Sequence, residues 1–106
     1  MIAITEENFD ALLASKLPLL LDVYADWCPP CRRIAPLIEE LAVELEGKAI
    51  VAKLDSEANP NLIAMLGINS LPTFLVFNEG SEAHRLVGLQ SREKLLDRLG
   101  MTKLAG

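Results

Sequence analysis

The chain has 106 residues, 51% of them hydrophobic and 24% charged, a globular composition with room for one core and not for a second. Ten Lys and Arg against fifteen Asp and Glu give a net charge of −5. With no basic run to meet a phosphate backbone, nucleic acid is not an expected partner. The opening "MIAITEENF" has neither a basic n-region nor a long apolar h-region. No apolar run approaches the roughly 20 residues of a membrane span, so a cytoplasmic protein without a membrane partner is expected.

In chain order, "MIAI" is a short strand, and "TEENFDALLASK" is a helix with Thr5 as N-cap and Phe9, Leu12 and Leu13 on one face. "PLLLDVYA" is a nearly continuous apolar run, the pattern of a strand covered on both faces. Ile34, Leu37, Ile38, Leu41, Ala42 and Leu45 recur at helical spacing, with Pro36 inside the pattern as an expected kink and Gly47 as terminator. "AIVAKLD" is the next strand. "NPNLIAML" is a helix with Asn59 as N-cap, Pro60 at its first position and Gly67 at its end. "PTFLVF" and "EAHRLVG" form a hairpin about "NEGS", and "SREKLLDRL" closes as a helix capped by Ser91. The order β-α-β-α-β-α-β-β-α predicts one α/β domain over 1–106, a mixed sheet of about five strands with about four helices on both faces.

The only two cysteines lie in "YADWCPPCRR", Tyr24–Arg33, where the apolar strand gives way to a helix. Open α/β sheets carry their ligands at that end of the strands. Residues three apart in a helical turn share a face and can be bridged by a disulfide. Cys28, at the helix start, is expected to face solvent and unpaired N–H groups, which favour a thiolate; Cys31, one turn deeper, is the resolving thiol. An inert clip is the competing reading, but closing so short a loop constrains the unfolded chain little. A structural disulfide is also disfavoured in the cytosol, and the fold should not need one. Zinc requires four ligands, and His84 is the only histidine, better read as a surface residue of the hairpin. Redox chemistry is the favoured reading, with no metal.

The chain resembles a thioredoxin over nearly its whole length. The resemblance rests on "WCPPC", Asp22 in "LLDVYADWC", Lys53 in "VAKLD", "LPTF" around Pro72 and Gly88 in "LVGL", with forty-one positions from Cys31 to Pro72. It implies the thioredoxin fold, protein disulfides as substrates, and a monomer. It also implies a redox-active Cys28–Cys31 pair in place of a cofactor, with electrons from another protein, a flavoprotein thioredoxin reductase. Pro29, where thioredoxins usually carry glycine, departs from the pattern; with Pro30 it separates the cysteines and forms part of the active-site environment. "CPPC" also occurs in membrane-tethered thioredoxin-like proteins, but their extra segment and anchor are not seen. Pro29 removes a backbone N–H near Cys28 and stiffens the turn, two opposed effects on redox potential.

Asp22 interrupts an apolar strand, where an ionised carboxylate is costly, and alternates with Leu20 and Tyr24. It reads either as a locally hydrogen-bonded acid or as a carboxyl of raised pKa that takes the proton of Cys31. Lys53 reads as its pairing partner or as a solvated strand residue. By the resemblance, Leu71–Pro72 is cis beside the cysteines, and Trp27, Leu71, Pro72 and Gly88 dock the substrate, Gly88 where a chain approaches closely. The alternatives are a thiol oxidase or isomerase, and a redox-independent scaffold.

Overall fold

Alternate side chains along "LLLDVY" pack into two different cores, which requires a layer on each side of that strand. The computed structural model describes residues 1–101. Its elements are β1 (Ile2–Ala3), α1 (Phe9–Leu13), β2 (Leu19–Tyr24), α2 (Pro29–Glu44), β3 (Ile50–Asp55), α3 (Pro60–Leu66), β4 (Thr73–Asn78), β5 (Ser81–Val87) and α4 (Arg92–Arg98). The order matches the expected one. The single-domain span 1–106 extends into residues 102–106, which lie outside the described residues.

The strands lie in the order β1-β3-β2-β4-β5. β1 and β2 run parallel to β3, whereas β4 is antiparallel to both β2 and β5. The sheet is therefore mixed, with β2 at its centre. On one face Leu20, Val51, Phe74 and Val76 meet Ile34, Ile38 and Leu41 of α2 and Leu95 and Leu96 of α4. On the other, Leu19, Leu21, Val23, Ala52, Leu54, Leu75 and Phe77 meet Phe9 of α1 and Leu62 of α3. Leu20, Leu21 and Val23 are fully buried. Each such aliphatic side chain contributes about 1.5–3 kcal/mol of transfer free energy, so β2 is pinned from both sides.

Two helix starts differ from expectation. α1 has Asn8 at its N-cap position, with no cap bond from that side chain. Thr5 acts one turn earlier: its N–H donates to Asn8 Oδ1 (2.8 Å), and the Asn8 N–H donates to Thr5 Oγ1 (3.2 Å). This reciprocal pair closes a separate turn ahead of the helix, which shortens the expected element. Asn59 holds the N-cap position of α3, but its amide donates to the Asp55 carbonyl at 3.1 Å instead of accepting from the helix. Ser91 caps α4 as expected, accepting the Lys94 N–H at 3.1 Å. Pro36 lies within α2.

Candidate active site

β2 delivers its last residues directly to the start of α2. Cys28 is the N-cap (φ −85°, ψ 111°), the extended conformation favoured ahead of proline, with Pro29 and Pro30 in the first two helical positions. A helix leaves its first four N–H groups without intrahelical partners. Here the Cys28 N–H donates to the Ala25 carbonyl at 3.2 Å. Two more donors are absent because both residues are proline. The fourth, from Cys31, donates to Cys28 Sγ at 3.3 Å. The expected cluster of unpaired N–H groups is thus one N–H, and it is aimed at the Cys28 sulfur.

Cys28 and Cys31 are joined as a disulfide, with Cα atoms 5.3 Å apart. Cys28 was expected to be the solvent-facing member, yet in this oxidised form it is 3% exposed and Cys31 4%. Burial does not distinguish them; surroundings do. Cys28 lines a groove with Trp27, Ser56, Ile63, Ile68, Ser70 and Leu71. Cys31 lines a separate cavity of about 190 Å³ with Asp22, Tyr24, Asp26, Glu39 and Lys53.

Asp22 is buried in the central strand, and its Oδ1 has no hydrogen-bond partner. Burial pushes its pKa from 3.8 up to about 7, and the positive charge of Lys53 opposes that rise. Lys53 is the register partner of Asp22 across β2 and β3. The expected ion pair does not close: among the described residues the salt bridges are Arg85–Glu82, Arg92–Glu44 and Arg98–Asp97. The Lys53 ammonium instead sits over the Tyr24 ring, 5.9 Å from its centroid, and acts on Asp22 through space. Tyr24 was not singled out from sequence, although its alternation with Asp22 puts it on the same face of β2.

The Leu71–Pro72 peptide is cis. Leu71 packs against Ala25, Cys28 and Cys31. Among the described residues, neither its N–H nor its carbonyl joins a backbone hydrogen bond. The Gly88 N–H donates to the Pro72 carbonyl at 2.8 Å, tying the end of β5 to this loop. Gly88 has φ +88°, and a Cβ built there would meet nothing within 4 Å. Within the fold, therefore, conformation and not crowding calls for glycine. Trp27 is 62% exposed, so it is not core filler. His84 is exposed. Among the described residues no group of acidic, histidine and cysteine side chains could hold a metal ion, and no helix is long and apolar enough to cross a membrane.

This arrangement brings together two bonded sulfurs, a buried carboxyl and, at Leu71, a stretch of backbone without backbone hydrogen bonds. The thioredoxin family matches residues 1–100. The chain belongs to the thioredoxin family. It is 40% identical over 95 residues to a thioredoxin of Rickettsia felis, covering 89% of this chain and 90% of that protein. It is 40% identical over 97 residues to a thioredoxin of Staphylococcus aureus, covering 92% of each. Like other thioredoxins, it is a thiol–disulfide oxidoreductase whose redox-active pair is Cys28–Cys31. The thioredoxin family implies protein disulfides as substrates and a reductase as electron source.

Proposed function

We propose that the protein reduces protein disulfides through a single domain, attacking with Cys28 and resolving with Cys31. One observation supports this division of labour: Cys28 and Cys31 border different cavities, the first lined by Trp27, Ile63, Ile68 and Leu71 and the second by Asp22 and Lys53. The Cys28 thiolate attacks one sulfur of the client disulfide. That S–S bond breaks, a mixed disulfide forms, and the departing client sulfur takes up a proton. Cys31 gives its proton to the Asp22 carboxylate and attacks Cys28 Sγ, expelling the second client sulfur. Two electrons have then passed to the client, leaving Cys28–Cys31 oxidised.

Trp27 and Leu71 supply apolar contacts to the client. The free Leu71 backbone pairs with its extended chain, and Pro72 and Gly88 shape the platform. Lys53 tunes Asp22. Pro29 and Pro30 restrict Cys28 to a single backbone donor. The protein uses no cofactor of its own; a flavoprotein thioredoxin reductase returns the electrons. It acts as a cytoplasmic monomer.

The decisive test combines the reduction potential of the pair with trapping by Cys31→Ser. A potential more reducing than the glutathione pool, with client adducts held on Cys28, establishes the reductase. A potential above that pool makes it an oxidase. Client binding that survives loss of both cysteines makes it a scaffold.

A further inference from the structure

The loop 67–72 carries Leu71 from the end of α3 to the cysteines, and it has no secondary structure of its own to hold it. Its restraints can be counted. The last four carbonyls of a helix lack intrahelical partners. At the end of α3 the Ile68 N–H reaches the Ile63 carbonyl (3.1 Å) and the Gly67 N–H the Ala64 carbonyl (3.2 Å), with Gly67 left-handed at φ +68°. That is a Schellman closure, and it leaves the Met65 and Leu66 carbonyls open, the second of them beside β5. Arg85, on the outer strand β5, fills the gap. Its Nη2 donates to the Leu66 carbonyl at 2.6 Å and its Nη1 to the Gly67 carbonyl at 3.2 Å. The other edge of the guanidinium grips Glu82: Nε and Nη2 donate to its two carboxylate oxygens, each at 2.8 Å. Downstream, Thr73 Oγ1 donates to the Ser70 carbonyl at 2.7 Å, and the Gly88 N–H holds the Pro72 carbonyl.

We infer that Arg85 is a positioning residue for client docking: it clasps the start of the 67–72 loop to β5, so that Leu71 is presented to the client in a fixed place. The inference rests on the reading of Leu71 as a docking contact. Only an arginine can do this at one position, because four N–H bonds leave in two directions from one rigid plane. Glu82 orients that plane and neutralises its charge. Arg85 touches neither sulfur, so its loss should affect docking and leave the thiol chemistry untouched.

The test uses the reduced protein in single turnover, with Trp27 fluorescence following oxidation. The substrates are insulin as a protein disulfide and hydroxyethyl disulfide as one too small to span the loop. Arg85→Ala should raise the half-saturating insulin concentration about three- to tenfold, with the limiting rate and the rate on hydroxyethyl disulfide within about twofold of wild type. The Gly67 and Ile68 amides, which bond the Ala64 and Ile63 carbonyls, should exchange about tenfold faster or more, while those of β2 do not change. Arg85→Lys should recover only part of the effect, and Glu82→Gln should show a weaker version of it; both remain informative should Arg85→Ala fold poorly. Leu71→Ala separates the two readings. If it weakens insulin capture while the Arg85 and Glu82 variants do not, the inference is wrong and docking at Leu71 stands. If it too leaves insulin capture unchanged, the docking reading fails and takes the inference with it. Equal losses on both disulfides in the Arg85 variants would reduce Arg85 to general fold support and overturn the inference.

Discussion

Asp22 and Lys53 occupy paired positions on the parallel strands β2 and β3 and line one cavity with Cys31, yet no ion pair closes between them. The carboxylate is left with a buried oxygen lacking any donor, and its pKa sits at about 7 instead of 3.8. Near neutral pH, Asp22 is therefore poised to take a proton and to give it up.

Asp22→Asn should stabilise the fold and slow the reaction at once. Because the folded protein holds the Asp22 proton more tightly than the unfolded chain, Asp22 lowers stability as pH rises from about 4 to about 7. The asparagine variant should exceed wild type by roughly 2–4 kcal/mol at pH 8, with the gap closing toward pH 4. Turnover of a protein disulfide near pH 7 should fall roughly tenfold or more. Chemical denaturation and turnover on the same variant check both. Unchanged turnover from pH 6 to 9 would leave Asp22 a purely structural acid.

Lys53→Met removes the one charge that lowers the Asp22 pKa. That pKa should rise beyond 7, and the limb of the pH–rate profile that reports Asp22 should move to higher pH by the same amount. Titration of the Asp22 carboxyl by NMR in the reduced variant provides the measurement. A profile identical to that of wild type would mean that Lys53 does not tune the acid.

The cysteines should be inequivalent although equally buried when bonded. In the disulfide form Cys28 sits at the helix N-terminus and accepts the Cys31 N–H, whereas Cys31 lines the Asp22 cavity, and the same placement is expected after reduction. Cys28 should alkylate faster at neutral pH. Cys28→Ser should abolish turnover, and Cys31→Ser should accumulate client adducts that dithiothreitol releases, visible by mass spectrometry. Faster alkylation of Cys31 would reverse the assigned roles.

Gly88→Ala tests whether conformation or space makes this position glycine. With φ +88° and nothing near the added carbon, the variant should lose about 1–2 kcal/mol through backbone strain alone. A larger loss of client affinity than of stability would show that the client chain also needs the space. Equilibrium denaturation and insulin saturation, measured side by side, separate the two.

Much of this was legible in the residues because it depends on local rules. The period of the apolar positions, Ser91 as a cap and Gly67 as a stop each act within one turn of chain, so their elements appear where the pattern puts them. Asp22 stood out because a carboxylate inside "LLLDVY" has to be buried whatever the strand packs against. The cysteine pair was readable because a helical turn brings its two members together without help from the rest of the fold. Thr5 shows where local rules run out: its capping geometry was readable, but whether the turn it closes continues into α1 depends on the reciprocal bond with Asn8.

The remainder depends on contacts between distant segments, and only the tertiary structure decides these. Whether Lys53 touches Asp22 is set by side-chain placement across two strands, and the ammonium lies over Tyr24 instead. The backbone donors at Cys28 were reduced to one by a turn bond to Ala25 and two prolines acting together. Equal burial of the two sulfurs comes from their common cover by Ala25, Tyr24 and Leu71. Arg85 carried no sequence signal, since an arginine on an exposed edge strand looks like ordinary solvation. It takes on a role only because the sheet sets it beside the end of a helix nineteen residues earlier in the chain. Composition and period determine which segments form and which groups must be buried; the directions in which hydrogen bonds and charges point are settled only when those segments meet.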